Sequence, residues 1–241
     1  MKFLVFQHVS HEHPGLLQVC ADKRGVRFDI VEFWKSYAIP DISGYDALMI
    51  IGGPMGVYED SAAFPSKDDE IAVIKQAIEQ KIPVIGFCLG SQLIAHALGA
   101  RVYPNIRDGK KLKEIGYYSV ELTDDGKGDP LFREFVSPIK VLQWHGDAFD
   151  LPAGAVLLAK SPVCAQAFRH GTNVYGLLFH NEFTPEMVNK QIETDRAWIH
   201  DGFDLDEGVL RQQAIEFAPL MEQQCGMLFE NFLSVVKTKI L

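Results

Sequence analysis

No stretch of this chain approaches the roughly 18 consecutive apolar residues that cross a bilayer, so no membrane span is expected. Cysteine is scarce: the four, at 20, 88, 164 and 225, form no C-x-x-C pair. So few scattered cysteines in a long chain read as reduced thiols of a cytoplasmic protein and exclude a disulfide scaffold. Positive charge is also short, with 23 Lys and Arg against 32 Asp and Glu and a formal net charge of −9. A surface that attracts nucleic acid or anionic lipid needs the opposite balance, so neither is expected as a partner. The opening MKFLVFQ turns polar after Gln7, too soon for the apolar region of a secretory leader. Internal repeats, low-complexity segments and linkers are missing, and so is a G-x-x-x-x-G-K-[ST] nucleotide loop.

What is present is core material. With 241 residues, 47% of them hydrophobic, the chain supports one large domain over 1–241. Apolar β-rich runs alternate with helical patterns, which predicts an α/β fold with a largely parallel sheet. Strands are expected at Lys2–Gln7, Arg27–Phe33, Asp46–Ile51 and Pro83–Phe87. Between them a helix over Pro14–Arg24 stops at Gly25. A second runs from Ser66, with Asp69 completing a capping box, to about Gln80. A third covers Gly90–Leu98 and stops at Gly99. From Glu114 the strand signal dominates, at Ile115–Leu122, Lys140–Trp144, Ala155–Ser161, Ala165–Arg169 and Val174–Phe179. Thr184 and Pro185 then open a helix reaching about His200. A helical extension over about 195–241 closes the chain, its last helix running from about Leu205 to Lys237 with a break near Pro219.

The sharpest motif is Gly86-Phe87-Cys88-Leu89-Gly90-Ser91-Gln92, at a strand-to-helix junction. G-x-C-x-G in that position is the thiol form of a nucleophile elbow. The turn is tight enough that its glycines leave room for strand and helix, and the helix N-terminus under the sulfur is expected to lower its pKa. A buried structural cysteine is the plainer alternative. A thiolate needs a base, and the base an orienting group. His180-Asn181-Glu182 follows a strand, and alternate residues of an extended segment face one way, so His180 and Glu182 can meet at one site. Gly52-Gly53-Pro54-Met55-Gly56, also at a strand end, reads on its own as a glycine-rich turn. Beside a nucleophile, the Gly53 and Leu89 N–H groups could form an oxyanion hole.

Taken together, the glycine loop, the G-x-C-x-G-x-Q elbow and the late H-x-E resemble the class I glutamine amidotransferases. GGPMGVYED at 52–60, QWHGDAFDLP at 143–152 and the run ending YGLLFH at 180 look most like stand-alone relatives of the GMP synthase amidotransferase domain. The resemblance spans about residues 1–190. It implies a flavodoxin-like three-layer α/β/α sandwich and hydrolysis of the glutamine side-chain amide through a Cys88 thioester. It further implies His180 as base, Glu182 as its orienting partner, and Gln92, Trp144 and His145 at the substrate. Many members carry Pro between the His and the Glu, where this chain has Asn181. No cofactor or metal is expected. Ammonia would pass to a synthetase partner, or the enzyme would act on γ-glutamyl bonds alone; a catalytically silent binding module is the third reading.

Other features carry less. His8, His11 and His13 lack a ligand framework and are placed at the C-terminal edge of the sheet. Asp124–Asp129 lacks the calcium-loop spacing and reads as a solvated turn. Cys20, Cys164 and Cys225 have no matched base and read as inert, and the apolar residues of the last helix read as core.

Overall fold

In β1 (Lys2–Gln7), Phe3 and Val5 enter one buried cluster while Leu4 and Phe6 enter another. Successive side chains leave opposite faces of a strand, so a strand apolar throughout has to be covered on both sides. The structure, a computed structural model that describes residues 1–240, covers it in that way. The first part of the chain is β1, α1 (Leu16–Arg24), β2 (Arg27–Glu32), β3 (Ala47–Ile50), α2 (Lys67–Glu79), β4 (Val84–Phe87) and α3 (Leu89–Ala97). There follow β5 (Val102–Pro104), β6 (Ile106–Arg107), β7 (Lys110–Lys111), β8 (Glu114–Leu122), α4 (Asp124–Gly128) and β9 (Ile139–His145). Then come β10 (Asp147–Phe149), β11 (Ala155–Lys160), β12 (Ala165–His170), β13 (Val174–Leu177), α5 (Pro185–Ile199) and α6 (Glu207–Ile240).

One sheet takes nine strands in the order β2-β1-β3-β4-β13-β12-β11-β8-β9. From β2 to β13 neighbours are parallel, and from β13 to β9 they are antiparallel. Helices α1 and α6 cover one face, with Leu17, Phe229 and Phe232 against Phe3, Val5 and Ile85. Helices α2 and α3 cover the other, with Ile74, Leu93 and Ile94 against Leu4, Phe6 and Leu48. This is the three-layer α/β/α sandwich expected. A third cluster, Trp144, Phe183, Met187, Ile192 and Leu210, joins β9, α5 and the start of α6. The ribbons β5–β10 and β6–β7 had no periodic signal, being only two or three residues per strand.

Four local readings change. Ser66 makes no capping bond; its Oγ donates to Glu70 Oε1 at 2.7 Å, so the capping box with Asp69 does not form. Residues 124–128 are a short helix capped by Thr123 Oγ1, and Asp129 is buried and paired with Arg169 Nε at 2.7 Å, which replaces the solvated turn. The break at Pro219 is absent: α6 runs on through it. Pro219 is exposed, and a carbonyl left without its helical partner on a wet face is taken by water. Helix α6 is thus a layer of the sandwich, with Phe229 and Phe232 each 1% exposed and each contributing roughly 1.5–3 kcal/mol by burial. Residue 241, the end of the expected extension, lies outside the described residues. Lastly, Cys20 packs against the cluster that holds Cys225, between α1 and α6, and the neighbouring thiol draws Cys20 down to about 7, so these two are not isolated thiols. No helix among the described residues is long and apolar enough to cross a membrane.

Candidate active site

Cys88 sits between β4 and α3 at φ 47°, ψ −109°, in a region costly for a residue with a Cβ. Neighbouring bonds hold it there. Its N–H donates to the Leu177 carbonyl at 2.8 Å, and its own carbonyl accepts from Ser91 N at 3.0 Å and Ser91 Oγ at 2.6 Å. The two elbow glycines are required by contact. A Cβ on Gly86 would lie 2.4 Å from the Gly90 carbonyl carbon, and one on Gly90 would lie 2.3 Å from the Ile50 oxygen.

His180 arrives from the far side of β4. Just beyond β13 its backbone exchanges hydrogen bonds with Leu142 of β9, at 2.8 and 3.1 Å, which fixes the direction of the ring. Nδ1 lies 2.6 Å from Glu182 Oε1, and the other Glu182 oxygen accepts from Asn181 N at 3.0 Å. Cys88 is close enough to raise the imidazole's pKa, and with Nδ1 engaged Nε2 is the ring nitrogen left for the sulfur. All three side chains are buried. Asn181, where Pro is frequent in the resembled family, donates to Gln224 Oε1 of α6 at 2.9 Å. The residue between His180 and Glu182 therefore ties the last helix to the site.

Burial pushes the Cys88 thiol above its ordinary value, with His180 pulling the other way. Burial therefore opposes the lowering expected from the motif. Burial also works against charge on His180, yet Glu182 and then Cys88 raise the imidazole well above 6.5. Thiol and imidazole thus titrate as a coupled pair.

The sulfur opens into a cavity of about 360 Å³, within the range of small-molecule sites. Gly53, Gln92, Trp144 and His145 all line it with Cys88. The Trp144 carbonyl is 3.7 Å from Cys88 Sγ, and the indole Nε1 donates to Asp195 Oδ2 at 2.9 Å. His145 reaches the cavity with Nδ1 3.2 Å from the Asp147 carbonyl, while Nε2 lies 3.3 Å from Glu114 Oε2 without a hydrogen bond. Leu89 is buried at the first position of α3, where a helix leaves its N–H groups without carbonyl partners. Gly53 is confined: a Cβ there would lie 2.9 Å from both His8 Cβ and Leu89 Cδ2.

Several lining residues escaped the sequence reading. Gln191, Asp195 and Trp198 project from one face of α5 at i, i+4, i+7, a polar and aromatic stripe directly after His-x-Glu that could have been noticed. Glu12 stands between His11 and His13 in the sequence, which places it with them at the sheet edge and gives it no role of its own. It is buried, accepts from Gln191 Nε2 at 3.1 Å, and is pushed up to about 7, chiefly by burial. A Cβ on Gly52 would lie 2.3 Å from Glu12 Oε2 and 3.2 Å from His180 Cε1, so carboxylate and imidazole meet over that glycine. His8 is at the sheet edge as expected, where it bonds the Gly52 carbonyl at 3.0 Å and Glu70 at 2.8 Å.

The model of the class I glutamine amidotransferases matches residues 16–199. A glutamine amidotransferase-like protein of Salmonella typhimurium, YfeJ, is 36% identical over 199 residues, covering 80% of this chain and 81% of its own. The glutamine-hydrolysing GMP synthase of Streptococcus pyogenes is 34% identical over 148 residues, 60% of this chain but only 26% of that enzyme. Among solved structures, a glutamine amidotransferase from Thermotoga maritima superposes with TM-score 0.85 at 31% identity, over 96% of this chain and 97% of that one. The chain belongs to the class I glutamine amidotransferase family. What it shares with GMP synthase is the amidotransferase quarter of that enzyme.

Proposed function

We propose that this protein hydrolyses the side-chain amide of glutamine through a γ-glutamyl thioester on Cys88. The observation that carries the reading is a cysteine held at positive φ on the wall of a cavity, beside an imidazole whose Nδ1 is 2.6 Å from a buried carboxylate. The sulfur, giving its proton to His180, attacks the amide carbon. The N–H groups of Gly53 and Leu89 receive the oxyanion. The C–N bond breaks as His180 returns the proton to nitrogen, and ammonia leaves. Water, deprotonated by His180, then cleaves the thioester to glutamate and regenerates the thiol. Glu182 holds the imidazole in orientation and stabilises its charge. Gln92, Trp144 and His145 frame the substrate.

A synthetase partner would receive the ammonia, since the sequence carries no nucleotide loop of its own. Hydrolysis of γ-glutamyl peptides is the second reading, and a cavity that extends past the sulfur to Trp198 favours it. The test is interception of the thioester: hydroxylamine added to enzyme and glutamine should yield γ-glutamyl hydroxamate, with none from Cys88→Ala. Glutamine turnover without hydroxamate at any hydroxylamine concentration would remove the thioester.

A further inference from the structure

The cavity above Cys88 has a charged lining of one sign. Glu12, Glu59, Asp147 and Asp195 reach it, and among the described residues no Lys or Arg does. The arrangement beside His180 turns part of this into a defined receptor. There Gln191, 2% exposed, donates through Nε2 to Glu12 Oε1 at 3.1 Å and to Asp195 Oδ2 at 2.7 Å. Two carboxylates flank the amide nitrogen, which settles the orientation of the amide. Its Oε1 is consequently a buried acceptor with no donor, and such an atom calls for an N–H from elsewhere. The remaining Glu12 oxygen stands over Gly52 beside the His180 ring. Trp144 and Trp198 also line the cavity, and aromatic rings attract cations. Lys113, whose ammonium is 4.7 Å from the Trp198 ring, is not among the lining residues.

The direction of the chemistry says what this receptor meets. The leaving nitrogen takes its proton from His180, so the leaving group departs past that ring, where Glu12, Gln191 and Asp195 stand. We propose that the site accepts γ-glutamyl amides whose leaving amine carries a second, positively charged amino group, as in a diamine or a lysine side chain, and that Glu12, Asp195 and Gln191 Oε1 receive that ammonium. The proposal rests on the Cys88 chemistry above. The sulfur–carbon bond forms, the C–N bond breaks, His180 hands its proton to the departing nitrogen, and the diamine leaves with its distal ammonium unchanged. Water then releases glutamate. Ammonia from glutamine is the smallest leaving group of the series, and a leaving group ending in a carboxylate meets like charge.

The experiment compares γ-glutamyl-putrescine, γ-glutamyl-butylamine and γ-glutamyl-γ-aminobutyrate, with glutamine alongside, on wild type, Glu12→Gln and Asp195→Asn. The cationic amide is expected to exceed the neutral one in kcat/KM by roughly tenfold, equivalent to about 1.4 kcal/mol, and the anionic one by more, mainly through KM. In each variant, shown to be folded, the cationic preference should shrink by at least threefold while the neutral amide changes less. Equal kcat/KM for the three amides in an enzyme that turns over glutamine would overturn the inference and leave the Cys88 reading standing. Preference for the cation that both variants retain would overturn the assignment to Glu12 and Asp195. Silence of the wild type on all four substrates would remove both the inference and the reading beneath it.

Discussion

Two buried histidine–glutamate pairs flank the glycine loop, and they differ in one respect. At His8 both ring nitrogens are engaged, Nε2 with Glu70 at 2.8 Å and Nδ1 with the Gly52 carbonyl at 3.0 Å, and Glu70 also accepts from Ser66. At His180 only Nδ1 is engaged by its acid, and Nε2 faces a thiol that can give up a proton. Burial, charge partner and distance are nearly the same in the two places. A histidine with both nitrogens occupied pins a loop, and one with a nitrogen directed at a nucleophile acts as a base. His8 holds the Gly52–Gly53 turn in position, and His180 is free for the chemistry proposed across it.

The deepest cut is at the nucleophile. Cys88→Ala is expected to lower glutamate release by at least about 10⁴-fold with the melting curve preserved, as for nucleophiles that act within a triad; measurable turnover in that variant would end the mechanism. Next come the two histidines, read together. His180→Asn, whose amide can still donate to Glu182, should lose roughly 10³-fold in kcat with little change in denaturation midpoint. His8→Asn keeps only one of two bonds and should lose about 2 kcal/mol of stability, with a smaller change in kcat per folded molecule. If urea melts and kinetics gave the reverse pattern, the distinction between pin and base would be wrong.

In this mechanism Glu182 acts through His180, so Glu182→Gln should cost less than losing either partner. It also sets a pH dependence. The Cys88–His180 pair must shed one proton to react, and Glu182 holds it on the imidazole to a pH above 6.5. The acid limb of kcat/KM is therefore expected to rise through a midpoint above 6.5 in the wild type, and at a lower pH in Glu182→Gln. A limb unmoved by that substitution would contradict the assignment.

Glu12 acts on stability in the opposite direction. Its carboxyl is raised from 4.5 to about 7 in the folded chain. The folded state therefore binds this proton more tightly than the unfolded chain does. Ionising Glu12 costs nothing below pH 4.5, a growing amount between the two values, and about 3 kcal/mol above pH 7. Glu12→Gln should accordingly stabilise the protein at pH 8 and not at pH 4, by chemical denaturation at both. A stability lost at pH 8 would show that the charge is favourable in the empty cavity.

Legibility in the sequence followed the range of the forces involved. The parallel strands were readable because Phe3, Leu4, Val5 and Phe6 are apolar on both faces, a purely local pattern. The elbow was readable because Gly86 and Gly90 are demanded by contacts within a few residues of Cys88 or across one strand. His180 and Glu182 were readable as a period-two pair. Glu12 was not, because only the fold carries it over Gly52 to His180. Nor was the link from Asn181 to Gln224, which joins positions far apart in the chain. The capping box failed for a tertiary reason too: Glu70, which turns inward to His8, takes the Ser66 hydroxyl.

The most direct measurement is glutamate release from free glutamine and from a γ-glutamyl dipeptide, side by side, with Cys88→Ala as the blank. The wild type is expected to release glutamate from at least one of them and the blank from neither. Equal release by wild type and blank, or none by a folded wild type that Cys88-directed glutamine electrophiles also fail to label, would contradict the assignment of Cys88 as the nucleophile.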